Sequence, residues 1–284
     1  MVLRSVPLPA QFRQKIPSGA RFFRVKEALV QESLHTVCEE AKCPNRTDCY
    51  ARGTLTFQIL GNRCTRRCGF CAELTAKPLA PDWSEPERIV AAARKLALKH
   101  VVVTAPARDD LADGGAEMFA RVVALLKQEL ANVSVEVLVS DLNQQVPALD
   151  KVLNSPLDVF NHNLETVERL TPKVRGRATY RGSLTVLAHA RKFQPRVKTK
   201  SGLMVGLGET RAELYSAIID LVNAGVNMVT IGHYLPPSPE HLPAEKIYSD
   251  LEFAEIKDFA QAQNFMAVQC GPLVRSSYHA DELV

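Results

Sequence analysis

From Leu55 onward the chain alternates between two periods of apolar and polar residues. Leu55–Leu60, Val101–Thr104, Val135–Val139, Val159–His162, Lys198–Val205 and Asn227–Ile231 are short β-rich runs that predict six strands. Between them lie helical patterns: Pro86–Lys99, Ala116–Leu130, Val146–Leu153, a helix containing Leu184–Phe193, Glu213–Ala224 and, last, Leu251–Ala262. In the second of these, Met118, Val122 and Leu126 recur every four residues, with Phe119 and Val123 beside them, which marks one buried helical face. Gly225 stands where a helix C-terminal cap belongs. A last apolar stretch lies near Phe265–Val268.

Strands and helices in strict alternation mean repeated parallel βα units. A doubly wound open sheet and an incomplete barrel both fit; the expected fold is α/β, a partial (β/α)6 TIM-type barrel with N- and C-terminal extensions. No stretch reads as a linker, so the chain is expected to be one domain. Its parts are an N-terminal extension over residues 1–53, the barrel over 54–263 and a C-terminal segment over 264–284. In such barrels the chemistry gathers on loops after the strands' C-terminal ends. The unusual residues fall there: Cys64–Cys71 after strand one, Arg108-Asp109-Asp110 and Asp113-Gly114-Gly115 after strand two, and Asn161-His162-Asn163 at the end of strand four. Gly206-Leu207-Gly208-Glu209 follow strand five, and His233-Tyr234 end strand six.

Composition narrows the class without deciding it. The 284 residues are 46% hydrophobic and 23% charged, as in an ordinary globular protein. Apolar runs such as Ile89–Ala93 and Val122–Leu126 fall far short of the ~18 residues a membrane span needs. The net charge of +4 is too small to argue for nucleic acid. Its distribution is uneven: from Lys173 to Lys200 there are nine Lys or Arg and no acid, either a solvated surface or a docking face for an acidic partner. The first 26 residues also lack acids, but Pro7, Pro9 and Pro17 break any amphipathic transit helix there. They are expected to form an ordered arm of a cytoplasmic, monomeric protein.

Seven cysteines cannot all pair within one chain, and six of them fall within 34 residues. Without a secretion signal, such clustering argues for metal rather than disulfides. The later triplet is Cys64-x3-Cys68-x2-Cys71. Structural zinc wants four ligands, and a four-iron cluster normally takes four cysteines. Held by three, such a cluster leaves one iron open to a reacting ligand. The earlier triplet, Cys38-x4-Cys43-x5-Cys49, also lacks a fourth cysteine. A zinc-stabilised nucleic-acid binder is the rival reading, distinguished by colourless protein with zinc rather than brown protein with iron and sulfide.

Cys-x3-Cys-x2-Cys after the first strand of a βα barrel resembles the radical S-adenosylmethionine (SAM) superfamily, and the combined pattern resembles the lipoyl synthase family over almost the whole chain. The resemblance is carried by residues 64–71, by Arg108-Asp109-Asp110-Leu111 with Asp113-Gly114-Gly115-Ala116, and by residues 161–167. It continues through residues 199–210 and Gly271-Pro272-Leu273-Val274-Arg275-Ser276-Ser277-Tyr278.

The resemblance implies two [4Fe-4S] clusters and SAM as cosubstrate. Cys64, Cys68 and Cys71 would hold the cluster that cleaves SAM to a 5′-deoxyadenosyl radical. Cys38, Cys43 and Cys49 would hold an auxiliary cluster, with Ser277 as fourth ligand and Ser276 as the close alternative. The implied reaction inserts two sulfur atoms at C6 and C8 of an octanoyl group on a lysine of a lipoyl carrier domain or H protein. The auxiliary cluster would donate the sulfur, and a ferredoxin or flavodoxin the electrons. Asp113, Gly114 and Gly115 would meet the SAM amino group, although Asp113 also reads as a plain helix cap. Asn161 and Asn163 would face ribose, carboxylate or substrate, and Gly206, Gly208 and Glu209 would lie near the adenine.

Arg66 and Arg67 either offset thiolate charge or face solvent, Cys270 is expected to be a buried free thiol, and Trp83 to pack on the barrel. Gln58 stands where the family commonly has methionine, Tyr50 where it has tryptophan, His233 where it has glutamine, and Ala105-Pro106-Ala107 replace its usual small and acidic residues. None of these removes a cluster ligand. A methylthiotransferase with its own auxiliary cluster is the nearest alternative; the Arg-Ser-Ser-Tyr motif speaks against it.

Overall fold

The computed structural model describes residues 10–12 and 19–282; the basic arm expected at the N-terminus falls largely outside them. Seven parallel strands form one sheet: β1 (Thr56–Gln58), β2 (His100–Thr104), β3 (Ser134–Leu138), β4 (Val159–Asn161), β5 (Lys198–Val205), β6 (Met228–His233) and β7 (Ala267–Gly271). Each lies beside its sequence neighbour, as Phe57 opposite Val103 and Val205 opposite His233 illustrate. A doubly wound sheet would reverse its strand order at a switch point. This order never reverses, so the winding is that of a barrel left open. The seventh strand extends the expected six, because the last apolar stretch pairs with β6 along its whole length. At the other edge the two-residue strand His35–Thr36 pairs antiparallel with β1.

Six helices follow six strands: α1 (Glu85–Lys95), α2 (Ala116–Glu129), α3 (Val146–Leu153), α4 (Tyr180–Phe193), α5 (Arg211–Asn223) and α6 (Asp250–Gln261). Local chemistry sets their ends. Pro86 occupies the first turn of α1, where a missing N–H costs nothing. Thr210 with Glu213 and Ser249 with Glu252 form reciprocal capping boxes that start α5 and α6. Past α5, Gly225 N–H bonds Val222 O and Val226 N–H bonds Leu221 O, closing that helix as expected.

The core divides into two apolar clusters. Val101, Val103, Val135, Val137 and Phe160 meet Ile89, Phe119, Val122 and Val152 in the first half. Val205, Val229 and Ile231 meet Leu214, Ile218 and Phe253 in the second. A helix over Ala20–Gln31, absent from the sequence expectations, buries Phe22, Val25, Ala28 and Leu29 at helical spacing. Trp83, expected to pack on the barrel, is 47% exposed.

Candidate functional site

Along a strand, side chains alternate between faces, so every second residue of each strand points into the barrel. Those residues are Gln58 on β1, Val102 and Thr104 on β2, Leu138 on β3, Gly202 and Met204 on β5, and Thr230 and Gly232 on β6. They line one cavity of about 560 Å³. The same cavity is lined by all six triplet cysteines and by Arg275, Ser276, Ser277 and Tyr278. Two motifs distant from each other in sequence thus meet over the strand ends.

The later triplet sits on a loop pinned at its base by pairing of Arg63–Cys64 with Leu74–Thr75. Thr65 N–H bonds the Ala107 carbonyl at 3.0 Å, and Gly69 N–H bonds that of Val174 at 2.9 Å. Arg66 grips Asp109 through two N–H groups at 2.8 and 2.7 Å and reaches Asp141 at 2.7 Å. Burial disfavours the Arg66 charge, yet Asp109 and Asp141 together hold its pKa above the usual value. Of the two arginines in the loop, Arg66 is therefore buried in ion pairs while Arg67 is exposed. Arg108 is buried as well, bonding Asp110 and the carbonyls of Leu60 and Leu79. The Arg-Asp-Asp motif thus ties the cysteine loop to the loop after β2.

The earlier triplet occupies two short helices, Val37–Glu40 and Arg46–Arg52, and the turn between them. Tyr50 anchors it from beneath, fully buried, with its hydroxyl 2.7 Å from Thr36 Oγ1. The C-terminal segment covers it from above. Asn45 donates to the Leu273 carbonyl, Tyr278 donates to Asp48 at 3.3 Å, and Arg52 donates to Glu282 at 2.6 Å.

Burial pushes the Cys38, Cys49 and Cys71 thiols up to about 12, helped by neighbouring cysteines, and raises Cys43 and Cys64 as well. Binding iron would expel those protons. Burial lowers the Arg275 guanidinium from its usual value while charge on Cys43 opposes that shift, so the two face each other. Arg66 N–H and Gly176 N–H already point at Cys64 and Cys68 sulfurs, both at 3.3 Å. Soft sulfur donors in threes select iron–sulfur clusters over hard cations. Among the described residues, no three His, Cys, Asp or Glu side chains converge on a single ion. The donor set fits thiolate-held clusters.

The other expected residues divide. Asn163 lines the cavity. Asn161 lies beneath it, fully buried, donating to Glu136 at 2.7 Å; Glu136 also pairs with Lys200 at 3.0 Å. Asp113 accepts from the N–H groups of Gly115 and Glu117 at the start of α2, and these residues do not line the cavity. Glu209 accepts from Gly206 and Leu207 N–H at 2.7 and 2.9 Å, shaping the turn after β5 behind the wall. His162 and His233 line the cavity, but their ring nitrogens bond Val139 O with Ser183 Oγ, and Tyr234 O with Lys246 O. Cys270 is off the cavity, its thiol 3.5 Å from the Phe253 carbonyl.

Three cavity residues went unmarked in the sequence. Glu165 holds a left-handed backbone, φ +70°, in which a non-glycine residue is strained. Burial raises its carboxyl pKa against the pull of Arg175. Arg175 reaches Ser183 and the Asn163 carbonyl. Burial pushes Glu73 up to about 7, and Gln58 donates to it at 3.2 Å. The signal available for Glu165 was its place two residues past Asn163 in a polar strand end.

The basic run is split by the fold. Lys173, Arg175 and Arg177 lie beside the cysteine loop, with Arg177 3.4 Å from Asp109. Arg191 and Lys192 lie in the last turn of α4, next to the start of β5 at the barrel's other end.

Comparison with known proteins follows the same lines. The sequence model of the radical SAM superfamily matches residues 59–222, and that of the N-terminal domain of lipoyl synthase matches residues 4–43. The lipoyl synthase of Geobacillus sp. (strain WCH70) is 48% identical over 277 residues, spanning 97% of this chain and 93% of that one. The lipoyl synthase of Chlamydia muridarum is 46% identical over 281 residues, spanning 98% and 91%. Among solved structures, the [FeFe]-hydrogenase maturase HydG superposes with a TM-score of 0.59 at 18% identity, covering 75% of this chain and 51% of that one. Methylornithine synthase superposes with a TM-score of 0.54 at 15% identity, covering 75% and 70%. These two share the fold. No helix among the described residues is long and apolar enough to cross a membrane.

Proposed function

We infer the function from one premise: this chain belongs to the lipoyl synthase family of the radical SAM superfamily. It is a radical SAM sulfur-inserting enzyme that uses a [4Fe-4S] cluster and SAM. The finer reading is insertion of two sulfur atoms, at C6 and C8, into an octanoyl group on a lysine of a lipoyl carrier domain or H protein. A low-potential donor such as ferredoxin or flavodoxin would supply electrons.

The observation that carries this reading is the single cavity shared by both cysteine triplets and the Arg-Ser-Ser-Tyr motif. Cys64, Cys68 and Cys71 would hold the SAM cluster; Cys38, Cys43, Cys49 and Ser277 would hold a second one. When bound, the first with SAM supplies a radical able to abstract hydrogen from an unactivated C–H bond, and the second supplies sulfur. The chain's own residues do the rest. The inward side chains Val102, Leu138 and Met204 offer an apolar wall for an acyl chain. Asn163 and Glu165 present amide and carboxylate groups suited to ligand hydroxyls. Asn161 lies beneath the cavity and Gly206 packs behind His233 of its wall, while Asp113 to Gly115 cap α2 away from it. The C-terminal segment closes the cavity against water, which protects a radical from quenching.

The test is anaerobic incubation of the iron–sulfide-loaded chain with SAM, reductant and an octanoylated carrier domain, read by intact mass. A gain of two sulfur atoms is expected, as two thiols in place of two C–H hydrogens, since the reducing assay leaves the dithiol unoxidised. Formation of 5′-deoxyadenosine with an unchanged carrier would overturn the reading, as would transfer of a methylthio group.

A further inference from the structure

Gly202 and Gly232 sit on the inner faces of β5 and β6, and the returning C-terminal segment lies directly over both. A Cβ on Gly202 would stand 2.7 Å from Asn163 Oδ1 and 2.8 Å from Ser276 Oγ. One on Gly232 would stand 1.9 Å from the Val274 carbonyl oxygen. Only glycine lets the segment come this close. Between the two seats, Ser276 Oγ–H donates to Asn163 Oδ1 at 2.9 Å. The Asn163 side chain lies beside the buried Glu165 carboxyl and favours its charged form. Glu165 is fixed by its backbone, which bonds Gly202 O at 2.9 Å and accepts from Met204 N–H at 2.8 Å. A short polar relay thus runs from a strained strand end to the C-terminal segment.

The next residue behaves differently. Ser277 lines the cavity and its side chain makes no hydrogen bond to any described residue. One serine is taken up as an anchor; its neighbour is left free.

We propose that Asn163 is a positioning residue: backed by Glu165, it latches Ser276 and thereby aims Ser277 into the cavity towards the Cys38, Cys43 and Cys49 triplet. The proposal rests on the reading of that triplet with Ser277 as a cluster site. It gives Asn163 a task on the sulfur-donor side of the cavity, and it makes Gly202 the seat on which the latch closes.

The test uses the full chain carrying Cys68→Ala, so that iron on the Cys38, Cys43 and Cys49 triplet is followed alone, and measures iron release to a chelator under anaerobic conditions. Losing one hydrogen bond worth about 1 kcal/mol should speed release about fivefold in Ser276→Ala. Gly202→Ala, which removes no polar group but wedges the latch apart, should speed it at least as much. Ser276→Thr, which keeps the hydroxyl, should stay near the parental rate. The iron-free variants are compared by thermal unfolding, so that general loss of fold is separated from loss of the latch. Parental release rates in both Ser276→Ala and Gly202→Ala would overturn the proposal. Complete loss of iron in Ser276→Ala with full retention in Ser277→Ala would overturn it too, by making Ser276 the ligand. Because the readout is iron release, it stands whether or not the chain forms lipoyl product.

Discussion

The two cysteine triplets line one cavity but are built in opposite ways. Cys64, Cys68 and Cys71 lie on a single loop held by buried ties to its immediate surroundings. Its base is a two-strand pairing, and its centre is Arg66 between Asp109 and Asp141, with side-chain exposures of 6, 12 and 5%. Cys38, Cys43 and Cys49 are held from below by Tyr50 and closed from above by a segment more than 200 residues away. The ties across that gap are uneven: Asn45, bonded to the Leu273 carbonyl, is buried, the Tyr278–Asp48 bond is partly buried, and Arg52 and Glu282 are 37 and 52% exposed. A loop closed locally would suit the proposed SAM cluster, which stays intact through electron transfer, and a lid made by a distant segment would suit the proposed sulfur source, which gives up its own atoms.

The sharpest way to break this contrast is to delete one triplet at a time. Cys68→Ala should lower bound iron by about half and abolish SAM cleavage, since three thiolates are the least that hold such a cluster. Cys43→Ala should also lose about half the iron, yet retain part of the SAM cleavage while making no sulfur-bearing product. Iron counts with 5′-deoxyadenosine and carrier mass decide both. If Cys43→Ala also ended SAM cleavage, the two sites would be one cooperative unit and the contrast would fail.

Stability should separate the two regions next. Arg66→Ala strands two buried carboxylates and should cost about 3–5 kcal/mol. Asp48→Asn removes the charge from partly exposed contacts to Tyr278 and His279 and should cost less than about 1 kcal/mol. Denaturant unfolding of the iron-free chains measures both. Equal costs would mean that the C-terminal lid is as firmly built as the cysteine loop.

What the sequence revealed follows the same division between local and distant. Periodicity placed Val146–Leu153 and Lys198–Val205 to the residue, because turn residues and apolar spacing act within a few positions. The later triplet, within eight residues, was visible as a unit. The partners of Arg66 and Lys200 were not, since Asp109 and Glu136 are 43 and 64 residues away. Glu136, a lone acid in an apolar strand, was the one hint. Gly202 carried no signal of its packing role, because the atoms a Cβ there would meet, Asn163 Oδ1 and Ser276 Oγ, lie 39 and 74 residues away. The helix over Ala20–Gln31 was legible too, since Phe22, Val25 and Leu29 have helical spacing, but Pro7, Pro9 and Pro17 before it argue against a helix in the arm. The sequence assigns no element to the last apolar stretch near Phe265–Val268, and its pairing with β6 makes it a strand.

The smallest expected effect concerns how a carrier reaches the cavity. The stretch from Lys173 to Lys200 reads as one basic surface, but α4 carries its two ends apart, and 14 residues of helix span about 21 Å. Lys173 and Arg177 are 55 and 64% exposed beside the cysteine loop. Arg191 and Lys192 lie at the far end of α4. If an acidic face of the carrier surrounds its acylated lysine, only the first pair can meet it while that lysine's chain enters the cavity. Lys173→Gln with Arg177→Gln should therefore raise KM for a folded octanoylated carrier about fivefold at low ionic strength. That follows from two exposed charges worth 0.2–1 kcal/mol each. The rise should fade as salt screens the charges. Arg191→Gln with Lys192→Gln should leave KM unchanged. A short octanoyl-lysine peptide, which lacks the folded acidic face, should not distinguish the two variants. An equal rise in both would restore the whole run as the docking face. No rise in either would leave the basic stretch a solvated surface and move carrier recognition to the apolar rim formed by Leu235, Pro236 and Pro237.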